Sequence, residues 1–284
     1  MTEPVLELDI YAIDVQAPDA AQKFEDSFKR TGFAILKNHG FAKAEIDAMY
    51  AAWSQWFAQG DKESFAVKAG EGNGYFGFKS ENAKGFKQKD LKEFFHAYQN
   101  KAVPSEVEEV TRAFQSKMIA LGTKLLGWLD QTCPDEVKQV RSQPFVKMVE
   151  GSDMNLLRIL HYPPLGDDVE QGEVRAAAHE DINLITLLVT GSEPGLQAQD
   201  LEGNWLAVPC NEGYITVNSG DMLKKATAGY YPSTPHRVVN PEKSENRSRY
   251  SLPLFMHPRP EVKLDEQSAQ EYLNERLKEI GLKN

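Results

Sequence analysis

Cysteine is nearly absent from this chain of 284 residues: only Cys133 and Cys210 occur, far apart and outside any CxxC pattern. Two isolated thiols give neither a disulfide framework nor a thiolate metal cage, and they fit a reducing compartment. An excess of basic charge is also missing. Lys and Arg total 32 against 42 Asp and Glu, a net charge of −10, which argues against nucleic acid or an anionic bilayer as partner. No apolar run approaches the roughly 18 residues of a membrane span. The opening MTEPVLELDIYAID lacks the basic and then apolar order of a secretory leader. The expectation is a cytoplasmic protein, a monomer or weak oligomer, acting on a small molecule. Internal repeats, low-complexity tracts and a Pro-, Gly- or Ser-rich linker are absent too. One domain over 1–284 is therefore expected, with a mixed, helical region over 1–149, a β core over 150–260 and a C-terminal helix over 261–284.

Hydrophobic content is 41%, enough for a sizeable core. PVLELDI and GFAILKN read as short strands around a helix at AAQKFEDSFKR. A second helix runs through KAEIDAMYAAWSQWFAQ, where Ile46, Met49, Tyr50, Trp53 and Phe57 recur at helical spacing. The stretch GEGNGYFGFKSENAKGF reads as loop or irregular hairpin. Ser105 and Glu108 have capping-box spacing, and Val107, Val110, Phe114, Met118, Leu121, Leu125 and Trp128 trace one helical stripe that CPDE ends. After about residue 150 the runs NLLRILHYPP, INLITLLVT, GLQAQD, NWLAVP, GYITVNSGD, HRVVNP and RYSLPLFMHP are short and β-rich. Turn residues separate them, QDLEGNWL reads as a hairpin, and together they predict a sandwich or barrel. A last amphipathic helix is expected near SAQEYLNERLKEI.

The chemistry concentrates in AAHEDINLITLLV. His179 and Asp181 stand two apart at the start of a β-prone run, and on a strand such residues share a face. His-x-Asp alone is weak. His236, in STPHRVVNP at the mouth of another β-run, offers a third ligand. Two histidines and one carboxylate on one face of an octahedron leave three positions open, as non-haem Fe(II) oxygenases require, although Zn²⁺ accepts the same set. No HExxH is present, so a zincin site is unsupported. In RYSLPLF, Arg249 and Ser251 again share a strand face, where a guanidinium and a hydroxyl can grip a carboxylate. His39 reads as a hydrogen-bonded turn residue, and His96, His161 and His257 as structural. Gly220-Asp221 reads as a turn before a strand. Tyr75, Phe76, Phe78, Phe94 and Phe95 divide between core and a possible pocket lining.

GFAILKNHG, GYFGFKSENAKGFKQKDLKEFF, LLRILHYPP, HEDINLITLL, GDMLKKATAGYYPSTPHRVVN and RYSLPLF follow one another along nearly the whole chain. In this order they resemble the Fe(II)/2-oxoglutarate-dependent dioxygenases of the isopenicillin N synthase-like group. The resemblance implies a β-rich α+β fold, a double-stranded β-helix (jelly roll) with flanking helices. It implies Fe(II) on His179, Asp181 and His236, and 2-oxoglutarate on Arg249 and Ser251, with Tyr162 of HYPP contacting the cosubstrate. O₂ would be the oxidant and ascorbate a candidate reductant. Leu160 stands where many plant members have Asn, and Asp181 occupies the position at which related halogenases carry a small residue. Oxidative decarboxylation of 2-oxoglutarate coupled to hydroxylation or a related oxidation is the expected activity. A cosubstrate-free iron oxidase and a non-catalytic metal-binding jelly roll are the alternatives.

Overall fold

The computed structural model describes residues 7–68, 71–81, 88–166, 169–170, 172–189, 193–200 and 202–279. The start of PVLELDI, the first residue and the end of the Gly-rich stretch, and the last residue of the predicted C-terminal helix lie outside them.

The amphipathic segments fold as their spacing predicts. Helix α1 covers Ala20–Thr31, α2 Lys43–Gln59 and α3 Ser105–Thr132. Phe24, Phe28, Met49, Trp53, Met118, Leu125 and Leu129 are fully buried on the inward faces of these helices. Each end has a cause. Gly32 closes α1 in the left-handed conformation, at φ 67°. Pro134 follows the last residues of α3, as CPDE predicts. The start of α3 differs from expectation: Pro104 holds the cap position and Ser105 lies inside the helix, so no capping box forms there. The box forms instead on the C-terminal helix. There the Ser268 N–H donates to Glu271 and the Glu271 N–H to the Ser268 hydroxyl.

Among the described residues twelve strands make two sheets. They are β1 (Ala12–Asp14), β2 (Phe33–Lys37), β3 (Gly74–Phe76), β4 (Glu93–Tyr98), β5 (Leu156–Tyr162), β6 (Ala176–His179), β7 (Ile185–Val189), β8 (Leu196–Gln199), β9 (Trp205–Ala207), β10 (Ile215–Ser219), β11 (His236–Val238) and β12 (Arg249–Met256). The larger sheet runs β1-β2-β10-β7-β12-β5-β4-β3 and the smaller β6-β11-β8-β9. All pairings except β1 with β2 are antiparallel. This is the jelly roll that the family resemblance implies, with strands of the N-terminal region extending both edges of the larger sheet. Helix α3 lies against β7 and β12. At Gly122 the approach is so close that Met256 Sδ fills the space a Cβ would take.

Three local expectations are corrected. The described part of PVLELDI forms an isolated bridge at Glu7, and the first described strand falls at Ala12–Asp14. The segment after Gly220 is a short helix, α6 (Asp221–Ala226), rather than a strand. It follows the short helices α4 (Asp135–Val140) and α5 (Phe145–Val149) and precedes α7 (Ala269–Glu279). The third correction concerns β6, which ends at His179, with β7 starting only at Ile185. His179 and Asp181 therefore leave one strand instead of beginning the next.

Gly32 gives a direct test of this packing. A Cβ there would need a left-handed side-chain residue and would sit 2.9 Å from the Pro232 carbonyl oxygen. Gly32→Ala should destabilise the protein by about 2 kcal/mol or more, read from urea unfolding midpoints. An unchanged midpoint would show that this junction relaxes freely.

Candidate active site

Strand pairing explains how residues far apart in sequence meet. β11 lies antiparallel to β6 with His236 directly opposite His179, and the two imidazole centroids are 4.4 Å apart. Asp181 reaches the same point from the turn beyond β6. Its backbone carbonyl accepts the Asp221 N–H at 2.7 Å, tying that turn to the start of α6. Gly220 permits the approach, because a Cβ there would overlap the Asn183 backbone.

The three side chains form one metal-competent cluster, with a donor atom from each within 4.8 Å of the others. Asp181 Oδ1 is 3.9 Å from His179 Nε2 and 3.7 Å from His236 Nε2. The outer atoms are all engaged. His179 Nδ1 lies 2.8 Å from the Ala177 carbonyl and His236 Nδ1 3.1 Å from that of Thr234. A carbonyl can only accept, so each Nδ1 carries the proton and each Nε2 presents a lone pair inward. Asp181 Oδ2 accepts from the Thr186 hydroxyl at 2.6 Å and from Asn218 Nδ2 at 2.8 Å, which leaves Oδ1 for the centre. Burial would raise the Asp181 carboxyl, but the two histidines and these two donors hold it below its usual value. Burial, reinforced by His236, pushes the His179 imidazolium down to about 4, so the ring is neutral near pH 7. A cation fits this set: two imidazole nitrogens and one carboxylate oxygen turned toward one point.

Arg249 and Ser251 occupy alternate, inward positions of β12, 2% and 3% exposed. Tyr162 pairs with Arg249 across β5, and the guanidinium sits 5.3 Å from its ring centroid. Arg249 Nε donates to the Glu193 carbonyl at 3.0 Å. Its Nη1 is buried without an acceptor among the described residues, a cost the fold would not carry unless another group satisfied it. A carboxylate is the natural complement, so the fit for 2-oxoglutarate is good.

A cavity of about 480 Å³ opens on the inward side of His179 and Asp181. Its wall holds residues that the sequence reading passed over or took as structural. His96 of β4 faces Arg158 of β5 in register, and Arg158 Nε donates to His96 Nε2 at 2.8 Å while His96 Nδ1 pairs with the Gly72 carbonyl. Lys92, Glu81 and Asp90 complete that wall, and His257 lines the cavity as well. The aromatic set does not line it. Phe94 and Phe95 are buried core, Phe78 is 47% exposed, and Phe94 supports Arg158 from behind at 4.7 Å. His39 is the turn residue expected, bonded to the Gly213 carbonyl and the Phe41 N–H. His161 pairs with Glu93 and stacks on Tyr250.

The family follows from comparison with known proteins. Residues 154–258, which hold His179, Asp181, His236, Arg249, Ser251 and Tyr162, match the model of the 2OG-Fe(II) oxygenase superfamily, and residues 4–116 match that of the non-haem dioxygenase N-terminal region named for morphine synthesis. The chain belongs to the 2OG-Fe(II) oxygenase superfamily. A similar curated relative is the 2-oxoglutarate-dependent dioxygenase citB of Monascus ruber, 31% identical over 89% of this chain and 83% of the relative. Among solved structures, an oxygenase from Shewanella oneidensis superposes with TM-score 0.86 at 43% identity, covering 96% of this chain and 99% of that one. A 2OG-Fe(II) oxygenase family protein from Caulobacter crescentus gives 0.81 at 30% identity over 96% and 99%. As a 2OG-Fe(II) oxygenase, this protein uses Fe(II), 2-oxoglutarate and O₂ and couples decarboxylation of 2-oxoglutarate to oxidation of a small organic molecule. No helix among the described residues is long and apolar enough to cross a membrane.

Burial and the Arg158 charge push His96 down to about 3, against about 6.5 when unfolded. Between those values the unfolded chain holds a proton that the folded chain refuses, so stability falls as pH falls. This single residue should contribute a slope of about 1.4 kcal/mol per pH unit below pH 6. The slope should flatten by that amount in His96→Gln, measured by urea unfolding from pH 6.5 to 4.5; identical slopes would show that His96 is not held neutral.

Proposed function

We propose that His179, Asp181 and His236 hold the Fe(II), and that Arg249 and Ser251, with Tyr162 alongside, receive the distal carboxylate of 2-oxoglutarate. The observation that carries this reading is the orientation of the inner donors: every outer atom of the triad is tied, and every inner one is left for a single centre. The orphaned Nη1 of Arg249 supports the second half. Bound iron supplies the activation of O₂ by which 2-oxoglutarate loses CO₂, leaving succinate, while the substrate is oxidised.

The chain's own residues do the rest. Thr186 and Asn218 fix the Asp181 carboxylate so that its free oxygen does not rotate away. The backbone carbonyls of Ala177 and Thr234 fix the tautomer of each histidine. Arg249, deep on β12, sets how far the cosubstrate reaches toward the triad, and the cavity on the other flank admits the substrate while limiting bulk water. The reading extends to one domain over 1–284, a monomer or weak oligomer acting in the cytoplasm on a small molecule, with no nucleic-acid or membrane partner.

Anaerobic addition of Fe(II) and 2-oxoglutarate to the apoprotein should produce a weak visible metal-to-ligand band. Arg249→Ala should abolish it at 2-oxoglutarate concentrations that saturate the wild type. A band of equal strength in that variant would remove Arg249 from the cosubstrate site. Asn218→Leu should weaken Fe(II) binding by roughly 10- to 100-fold, read by titration with a chelator; unaltered affinity would mean that the Asp181 hydrogen bonds do not set the site.

A further inference from the structure

One wall of the cavity has an unequal supply of hydrogen-bonding groups. Four charged residues and one imidazole form a single chain across it. Lys92 Nζ contacts Asp90 Oδ2 at 2.8 Å and Glu81 Oε2 at 2.9 Å. Arg158 meets the same Glu81 with both terminal nitrogens, at 3.2 and 3.4 Å, and gives its Nε–H to His96. Asp90 Oδ1 accepts the Ala177 N–H. Every carboxylate oxygen and both imidazole nitrogens are thereby engaged. The donors are not. A guanidinium has five N–H groups and an ammonium three; three of Arg158's and two of Lys92's are accounted for among the described residues. The surplus on this wall is donors only, and both residues line the cavity.

Arg158 is also held rigidly. Its guanidinium lies 4.7 Å from the Phe94 ring centroid and 5.4 Å from that of Phe255, so little freedom is lost when it binds a ligand. The rest of the lining is mixed: Met154, Leu156, Ile182 and Phe255, with Leu273 and Leu277 of α7, give an apolar surface, while Arg276 of α7, already paired with Asp221 and Glu279, lies among them. Arg249, Ser251 and Tyr162 do not line this cavity, so the surplus donors are separate from the cosubstrate's carboxylate site.

We propose that the primary substrate is a small organic acid whose carboxylate docks on Arg158 and Lys92 while its apolar body lies along Met154, Leu156 and Phe255 and offers a C–H to the triad. This rests on the reading above, in which the triad holds the iron. Glu81 acts as an internal stand-in that keeps Arg158 ordered and neutralised until a carboxylate shares its remaining N–H groups. Arg158 thus selects the substrate.

The test uses the holoenzyme with Fe(II) and saturating 2-oxoglutarate, without oxygen, and follows perturbation of the visible band. The probes are 3-phenylpropanoate against 3-phenylpropanamide, and cyclohexanecarboxylate against its amide. The acids should bind at least about tenfold more tightly than the amides, shifting the band without abolishing it. Arg158→Gln should erase that preference. Glu81→Gln, which removes the competing carboxylate, should strengthen acid binding by about threefold or more, so the inference stays exposed if Arg158→Gln does not fold. Equal perturbation by acid and amide, none by either, loss of the band on adding acid, or a preference unchanged in both variants would overturn it. Failure of the band to form before any probe is added would overturn the cosubstrate reading underneath, a different and recognisable result.

Discussion

The site depends on one buried carboxylate. Asp181 is 6% exposed, and an isolated charge in that position would be prohibitive. The fold resolves this by surrounding it unequally. Thr186 of β7 and Asn218 of β10 take one oxygen, the Asp221 amide of α6 takes the backbone carbonyl, and the two histidines of the smaller sheet face the other oxygen. Two sheets and a helix are thereby joined at a single residue. The constraint runs both ways: the jelly roll brings these elements together, and the carboxylate makes their junction polar and directional instead of simply packed.

The same device recurs on the substrate side. Lys92, buried to 7% side-chain exposure, sits between Asp90 and Glu81. Burial alone would favour its neutral form, but those carboxylates hold the ammonium charged well above its usual range. Burial likewise disfavours the Glu81 carboxylate, and Arg158 with Lys92 outweighs it. Asp90 then grips the Ala177 amide, whose residue carbonyl orients His179. The charged wall of the cavity and the strand that presents the triad are one connected structure. Breaking a buried pair of this kind costs about 3–5 kcal/mol.

Much of this was legible in the chain, for identifiable reasons. His179, Asp181 and His236 stand out because each borders a β-rich run, and Arg249 and Ser251 because alternation on a strand puts both on one face; the structure does bring the first three within one cluster and does bury the last two side by side. The pattern misplaces His179, which closes β6 instead of opening β7. INLITLLV has far stronger β preference than RAAAH, so the histidine was assigned to the run that follows it. The Asn183 side chain, bonded to Ile185 and Thr186, makes the turn that separates the two, and composition gives little sign of it. The capping box was likewise placed at Ser105, where Pro104 takes the cap, when Ser268 and Glu271 carry the same spacing. The acid-binding wall could not be read at all. Its members come from separate segments, and His96 meets Arg158 only through the register of β4 on β5, a long-range pairing that no local pattern encodes.

The central claim is that Asp181 and its two histidines make this chain turn over 2-oxoglutarate. The most direct measurement is succinate formed from 2-oxoglutarate in air, with Fe(II) and ascorbate present, by the wild type and by Asp181→Ala at matched protein concentration. Succinate from the wild type and none above background from the variant is the result this account predicts. Equal succinate from both, or none from a wild type with iron demonstrably bound, would contradict it.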